Sequence, residues 1–272
     1  MQGIKVFIPT ESKIEYLNSL LKVGFDTIDA GSFVSPRYVP QMVDTPEVME
    51  KIEWKDSATK LSVIVANVRG AIEASRFPQI TYLGYPFSIS ETFQLRNTNS
   101  DMQKALNTVR SIRDLSERKG KEFVVYLSMA FGNPYGDPWS LEIAEKWVGE
   151  IDKFNLKYIS FSDTIGVAKP DVIEYFFRHL TKVFSHIEFG AHFHTTSDTW
   201  REKVEAAYQN GCKRFDGAIK GYGGCPMAKD DLTGNMPTEN LVAYFDEMKE
   251  EIGLNRTHLQ EAMKIAAIVF PP

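Results

Sequence analysis

Seven strand-length apolar runs alternate with helix-spaced patterns from one end of this 272-residue chain to the other. The runs are Phe25–Phe33, Leu61–Val68, Ile80–Phe87, Glu122–Ala130, Tyr158–Ser162, Ile187–His194 and Arg214–Ile219. Several are continuously apolar, so both of their faces must be covered, and helices between parallel strands supply that cover. Met102, Leu106, Val109 and Ile112 share one helical stripe, and Ile143, Trp147, Ile151 and Phe154 another. Two architectures fit so long an alternation: an open doubly wound sheet, or a (β/α)8 (TIM) barrel of about 250 residues. No G-x-G-x-x-G follows an early strand and no G-x-x-x-x-G-K-[ST] occurs, so nucleotide-phosphate loops have no support and the barrel is favoured. The expected fold is therefore one α/β barrel domain over residues 1–272.

The chain opens with a helix, not a strand. Ile14, Leu17 and Leu21 lie at helical spacing after Pro9, with Thr10 as the expected N-cap and Gly24 just past the end. Seven strands then face eight barrel helices, so the first strand is missing unless the short run Lys5–Ile8 serves as a stunted one. Two helices follow the last strand, and Asn255–Phe270, with Leu259, Met263 and Ala266 on one face, is extra to the barrel. It could pack on the barrel or on a second subunit in a homodimer.

Composition removes several function classes. Lys and Arg total 31 against 36 Asp and Glu, a net charge of −5 with no basic block, which argues against a nucleic-acid binder. No apolar run approaches the ~20 residues that cross a bilayer, and Met1–Lys5 does not begin a secretory signal. Two cysteines, Cys212 and Cys225, make no disulfide framework, and a cytoplasmic setting is expected.

The strongest chemical signal is His192-Phe193-His194 at the end of the sixth run. Period-2 geometry points both imidazoles to one face, where two nitrogens can share a metal ion; the plain alternative is a hydrogen-bonded polar pair. In a barrel that face is the lumen near the C-terminal rim, where active sites of this fold sit. Gly221-Tyr222-Gly223-Gly224-Cys225-Pro226 follows the last strand, and Cys225 in so glycine-rich a loop is a candidate proton donor, whereas Cys212 reads as a small buried hydrophobe. Asp29 and Asp163 end apolar strands at the same rim, and each alone reads equally well as a satisfied carboxylate or a turn cap. Asn67 and Asn235 add amide carbonyls that could hold a hard cation or a substrate.

On these residues the sequence resembles the 3-hydroxy-3-methylglutaryl-CoA lyase family, within the metal-dependent aldolase-like lyases and Claisen condensing enzymes. The resembling segments run from Phe33-Val34-Ser35-Pro36 and Val39-Pro40-Gln41-Met42 through Phe131-Gly132-Asn133-Pro134-Tyr135 and Asp163-Thr164-Ile165-Gly166. They continue to His192-Phe193-His194 and Gly223-Gly224-Cys225-Pro226, with Gly234-Asn235 and Thr238-Glu239 beyond. The resemblance implies cleavage of 3-hydroxy-3-methylglutaryl-CoA to acetoacetate and acetyl-CoA, a step of leucine degradation. It also implies a divalent metal, Mg or Mn with Zn as an option, on His192, His194 and Asn235. Cys225, Asp163 and Asp29 are then the catalytic residues, and Gln2, Ser32 and Asn67 the substrate contacts.

Three departures qualify this. The family's first strand ends in an Arg-Asp pair before a glutamine that Gln2 matches; Thr195 stands in place of an aspartate; and Asp29 replaces a longer glutamate. Weak metal binding and poor catalysis are expected unless residues carrying Arg-Asp precede Met1, and a wrong start or a truncation is the preferred explanation. A condensing synthase, a lyase for another 3-hydroxyacyl-CoA and a non-catalytic homologue stay open, although the Gly-Gly-Cys-Pro loop speaks against the synthases.

Overall fold

The computed structural model describes residues 1–2, 4, 6–224 and 233–270; Cys225 lies outside them. In chain order the elements are α1 (Thr10–Leu21), β1 (Thr27–Ser32), α2 (Thr45–Lys51), β2 (Lys60–Ile64), α3 (Val68–Ala74) and β3 (Ile80–Ser88). Next come α4 (Glu91–Thr98), α5 (Met102–Lys119), β4 (Glu122–Ser128), α6 (Leu141–Asp152), β5 (Tyr158–Asp163) and α7 (Pro170–Val183). The last are β6 (Glu188–Phe193), α8 (Trp200–Gln209), β7 (Arg214–Asp216), α9 (Thr238–Glu247) and α10 (Arg256–Val269).

Among the described residues the seven strands form one sheet in the order β1 to β7, and every neighbouring pair is parallel. The sheet curls strongly. The Arg214 guanidinium of β7 lies 5.9 Å from the Tyr82 ring centroid of β3, although three strands separate the two along the sheet. Tyr126 of β4 likewise meets His192 of β6 edge to face at 5.6 Å, across the intervening β5. Only an inward-curving, barrel-like sheet brings such residues together. Among the described residues no ladder joins β1 to β7. Val6–Ile8 form no strand; instead Ile8 N–H donates to Gln41 Oε1 at 2.8 Å, while Gln41 Nε2 donates to the Val6 carbonyl at 2.8 Å. Gln41 of the Val-Pro-Gln-Met segment is thus a clamp on the incoming chain.

Alternation along each strand divides two environments. On β4, Phe123, Val125 and Leu127 face outward into the main core beneath the helices, whereas Val124 and Tyr126 form a small inner cluster with Tyr82, Ile64 and Tyr158. Gly84 of β3 faces the lumen, and a Cβ there would come within 2.8 Å of the Tyr126 ring, so glycine makes room for the tyrosine. Outside the sheet, Phe161 is fully buried and stacks on Phe189 at 4.9 Å while meeting Phe176 and Phe177 edge-on at 5.3 and 5.5 Å. These contacts fasten β5 and β6 to α7.

Two sequence expectations need correction at element ends, and a third is decided between its two alternatives. Pro9, not Thr10, occupies the N-cap of α1, and the Thr10 hydroxyl donates to Asp44 Oδ2 at 2.9 Å. Asp44 also takes the buried Lys13 ammonium at 2.7 Å, so a tertiary ion pair has claimed the group that could have capped the helix. The last strand stops at Asp216, because Ala218 turns to bridge with Pro237 and Ile219 enters a single 3-10 turn. The extra helix α10 packs on α1, with Tyr16 and Phe270 edge to face at 5.2 Å, so the chain itself covers its apolar stripe. Replacing Phe161 with Ala should lower the unfolding free energy by about 3–5 kcal/mol, read from urea denaturation; a loss below about 1 kcal/mol would mean the aromatic seam does not hold the sheet to α7.

Candidate active site

The lumen holds one cavity of about 1130 Å³ that reaches the C-terminal rim of the strands. Asp29, Ser32, Asn67, His192, His194 and Asn235 all line it, as does Gln2. Parity explains the convergence: with Ala191 and Phe193 in the outer core, Gly190, His192 and His194 point inward. The two imidazole centroids stand 5.7 Å apart. His194 forms an antiparallel bridge with Asn235, and the Thr195 amide donates to the Gly234 carbonyl at 2.9 Å, so the strand end holds the later loop in register. Asn235 Nδ2 is committed to the Tyr222 carbonyl at 2.9 Å, which leaves Oδ1 as its donor for a ligand.

Asp216 was not singled out in the sequence. It lies opposite His192 in the β6–β7 register, and its Oδ2 meets His192 Nδ1 at 3.1 Å and the Ser160 hydroxyl at 3.3 Å. Burial opposes charge on His192, but the hydrogen bond and charge of Asp216, with Asp29 nearby, leave its affinity for a proton raised. The same pairing holds the Asp216 carboxyl below its ordinary range, against its own burial. Asp29 goes the other way: desolvation within the lumen and the Asp216 carboxylate push it up, although the residue is open to the cavity. His194 is the neutral partner, its pKa lowered by burial and by His192 to about 3.

A carboxylate on one ring nitrogen fixes the tautomer and presents the other nitrogen outward, the arrangement common behind metal-bound histidines. A neutral His194, a His192 backed by Asp216 and the Asn235 amide oxygen make two nitrogens and one oxygen, a donor set that fits Mn or Zn and accepts Mg. Among the described residues no three His, Cys, Asp or Glu side chains form a metal-holding group, so the amide oxygen is needed to reach three protein donors.

Asp163 does not join this group. Ser160 and Ser162 take the same face as the lumen residues, so Asp163 turns into the helix layer, where Lys203 Nζ reaches its Oδ2 at 2.7 Å. Its Oδ1 accepts the Val167 and Ala168 amides at 2.8 and 3.1 Å. Asn67 is half engaged, since its Oδ1 caps α3 by accepting the Gly70 amide at 3.0 Å. Ser32 Oγ is buried beside the cavity with no protein partner. Cys212 is buried as expected, and burial drives its thiol pKa strongly up. A period-2 reading of Arg214-Phe215-Asp216 would have found Asp216. The signal for Lys203 was fainter: a lysine in the buried stripe it shares with Val204 and Ala207.

Parallel strands that deliver a histidine pair, an amide oxygen and carboxylates to a cavity at their C-terminal rim have the layout of a barrel enzyme. The chain belongs to the HMGL-like family, whose model matches residues 1–269. It is 29% identical over 267 residues to a hydroxymethylglutaryl-CoA lyase of Bacillus subtilis, covering 97% of this chain and 87% of that protein. It is 32% identical over 272 residues to the human cytoplasmic 3-hydroxy-3-methylglutaryl-CoA lyase, covering 96% and 70%. The structure superposes with a TM-score of 0.91 and 28% identity on an HMG-CoA lyase of Acinetobacter baumannii solved with coenzyme A and 3-methylmalate, over 98% of this chain and 87% of that one. A Rhizobium etli pyruvate carboxylase, at 15% identity and a TM-score of 0.72, shares the fold alone.

The His192–Asp216 pair sets a pH dependence with a definite sign. Because the folded-state proton affinity of His192 is raised, its contribution to stability is complete below the unfolded-state histidine value and is lost as pH rises through the folded-state one. In Asp216→Asn the His192 titration, followed by imidazole NMR in metal-free protein, should move down; an unmoved midpoint would show that the carboxylate does not control this ring.

Proposed function

We propose that this chain is a carbon–carbon lyase that cleaves 3-hydroxy-3-methylglutaryl-CoA to acetoacetate and acetyl-CoA, as one catalytic domain of the cytoplasm. The observation that carries the reading is the convergence of His192, His194 and Asn235 on the cavity rim, in a chain of the HMGL-like family. Among the described residues no helix is long and apolar enough to cross a membrane. A cavity of about 1130 Å³ has room for an acyl-thioester and the adjoining part of a coenzyme A arm. Coenzyme A in the Acinetobacter relative supports that substrate class.

His192, His194 and Asn235 would hold a divalent ion, Mg or Mn with Zn as the third option. When bound, that ion supplies Lewis-acid polarisation of the substrate's C3 hydroxyl and carboxylate oxygens. Asp216 keeps His192 in one tautomer with its outer nitrogen presented to the rim. Asp29, on the lumen wall, takes the C3 hydroxyl proton. The C2–C3 bond then breaks, C3 becomes the ketone of acetoacetate, and the electron pair passes to C2 as the acetyl-CoA enolate. Cys225, in the Gly-Gly-Cys-Pro segment of the sequence, returns a proton to C2. Ser32 Oγ, lacking a partner among the described residues, and the amide nitrogen of Asn67 hold the acyl portion, and Gln2 lines the same cavity. A homodimer completes the proposal.

Acetoacetate release from 3-hydroxy-3-methylglutaryl-CoA with Mn or Mg, coupled to NADH oxidation by a hydroxybutyrate dehydrogenase, tests the reading. Chelation by EDTA should remove the activity, and His194→Ala should cut kcat/KM by at least about a hundredfold, the scale of losing a ligand or its support. Turnover of a different 3-hydroxyacyl-CoA with none of this one would keep the site and reject the substrate. No turnover of any acyl-CoA with metal present would reject the lyase.

A further inference from the structure

Lys203 is a buried cation that the chemistry above does not use. It lies on α8, in the helix layer, and its side chain and that of Asp163 are each only 1% accessible. An ammonium group has three N–H donors. Here all three have partners: Asp163 Oδ2 at 2.7 Å, the Gly166 carbonyl at 2.9 Å and the His194 carbonyl at 3.1 Å. The acceptors come from the end of β5, the loop after it and the end of β6. One side chain therefore ties α8 to the two strand ends that frame the rim.

The His194 contact has the widest consequence. The carbonyl of His194 and the amide of Thr195 belong to one planar peptide unit. Lys203 holds its oxygen, while its N–H donates to Gly234, the residue before Asn235. That plane is thus fixed at both ends: His194 belongs to it, and Asn235, which bridges to His194, follows the Gly234 that it binds. On the same network, Asp163 uses its second oxygen on the Val167 and Ala168 amides, so one oxygen of the carboxylate holds Lys203 and the other the loop.

We propose that Lys203 is a positioning residue for the rim: its ammonium fixes the His194–Thr195 peptide and thereby the relative placement of His194 and Asn235, with Asp163 as its counter-ion. This rests on the reading that the rim binds a divalent ion, and it gives Asp163 a supporting task in place of proton transfer. Removing a buried charge leaves its partner uncompensated, so a loss of stability in Lys203→Met would not by itself separate positioning from simple charge pairing. The double variant Lys203→Met/Asp163→Asn removes that complication, because neither charge then remains unpaired.

The experiment compares wild type, Lys203→Met, the double variant and Ile112→Ala, a destabilising control in α5, remote from α8. Melting temperature, amide hydrogen exchange at Thr195 in metal-free protein, and Mn²⁺ affinity by electron paramagnetic resonance are measured on each. The expected result is that the double variant regains most of the melting temperature lost by Lys203→Met. Its Thr195 amide still exchanges at least about tenfold faster than wild type, and its Mn²⁺ affinity stays at least about tenfold weaker, while Ile112→Ala changes neither by more than about twofold. Should Lys203→Met not fold, Lys203→Gln, which keeps a donor, takes its place. Recovery of exchange and affinity together with stability in the double variant would overturn the proposal, as would equal changes in the control. If wild type neither binds Mn²⁺ nor releases acetoacetate, the metal reading fails, and the metal-free exchange arm still decides the role of Lys203.

Discussion

The register of β5, β6 and β7 is the constraint on which the site depends. Ser162 pairs with His192, and His192 with Asp216, so one row across three parallel strands carries a hydroxyl, an imidazole and a carboxylate at the same level. A slip by one residue in any of them would turn its side chain from lumen to helix layer, because the side-chain period is two. The outer residues of the same strands, Phe161, Phe189, Ala191 and Phe193, enforce that register by burying apolar surface beneath the helices. The packing of the core and the chemistry of the lumen are thus two faces of one arrangement.

Several polar groups buried in the helix layer are fastenings. Lys13 joins α1 to Asp44 ahead of α2, Gln41 clamps the incoming segment, and Lys203 ties α8 to the ends of β5 and β6. A charge in such surroundings is tolerated only when paired and hydrogen-bonded, and each of these is. Segments such as Val-Pro-Gln-Met and Asp-Thr-Ile-Gly, conspicuous in the chain as chemical motifs, carry residues whose polar atoms hold backbone. Thr164, for example, accepts the Met129 amide at 2.8 Å and so joins the loops after β4 and β5.

Family membership and fold carry different weights. Similarity to a pyruvate carboxylase at 15% identity shows how widely this barrel is shared, and function follows from the residues on the rim rather than from the strands beneath them. The two departures within the described residues have distinct physical consequences. Thr195 is buried with its hydroxyl unpaired, next to the peptide that Lys203 holds. Asp29 stands on the lumen wall, open to the cavity, with a pKa raised by desolvation within the lumen and by the Asp216 carboxylate.

The sequence by itself determined the class of fold, the existence and order of the seven strands though not all of their ends, and the inward pairing of His192 with His194. Those features follow from local periodicity, which each segment expresses without reference to the others. It also marked Asn235 and Asp29 as rim residues by their place at strand ends and turns. Only the tertiary structure decided that Asp216 backs His192, that Asp163 turns away from the cavity toward Lys203, and that α10 covers α1. Each of those depends on which strand lies beside which and how far the sheet curls, and both are set by long-range burial that no local pattern encodes.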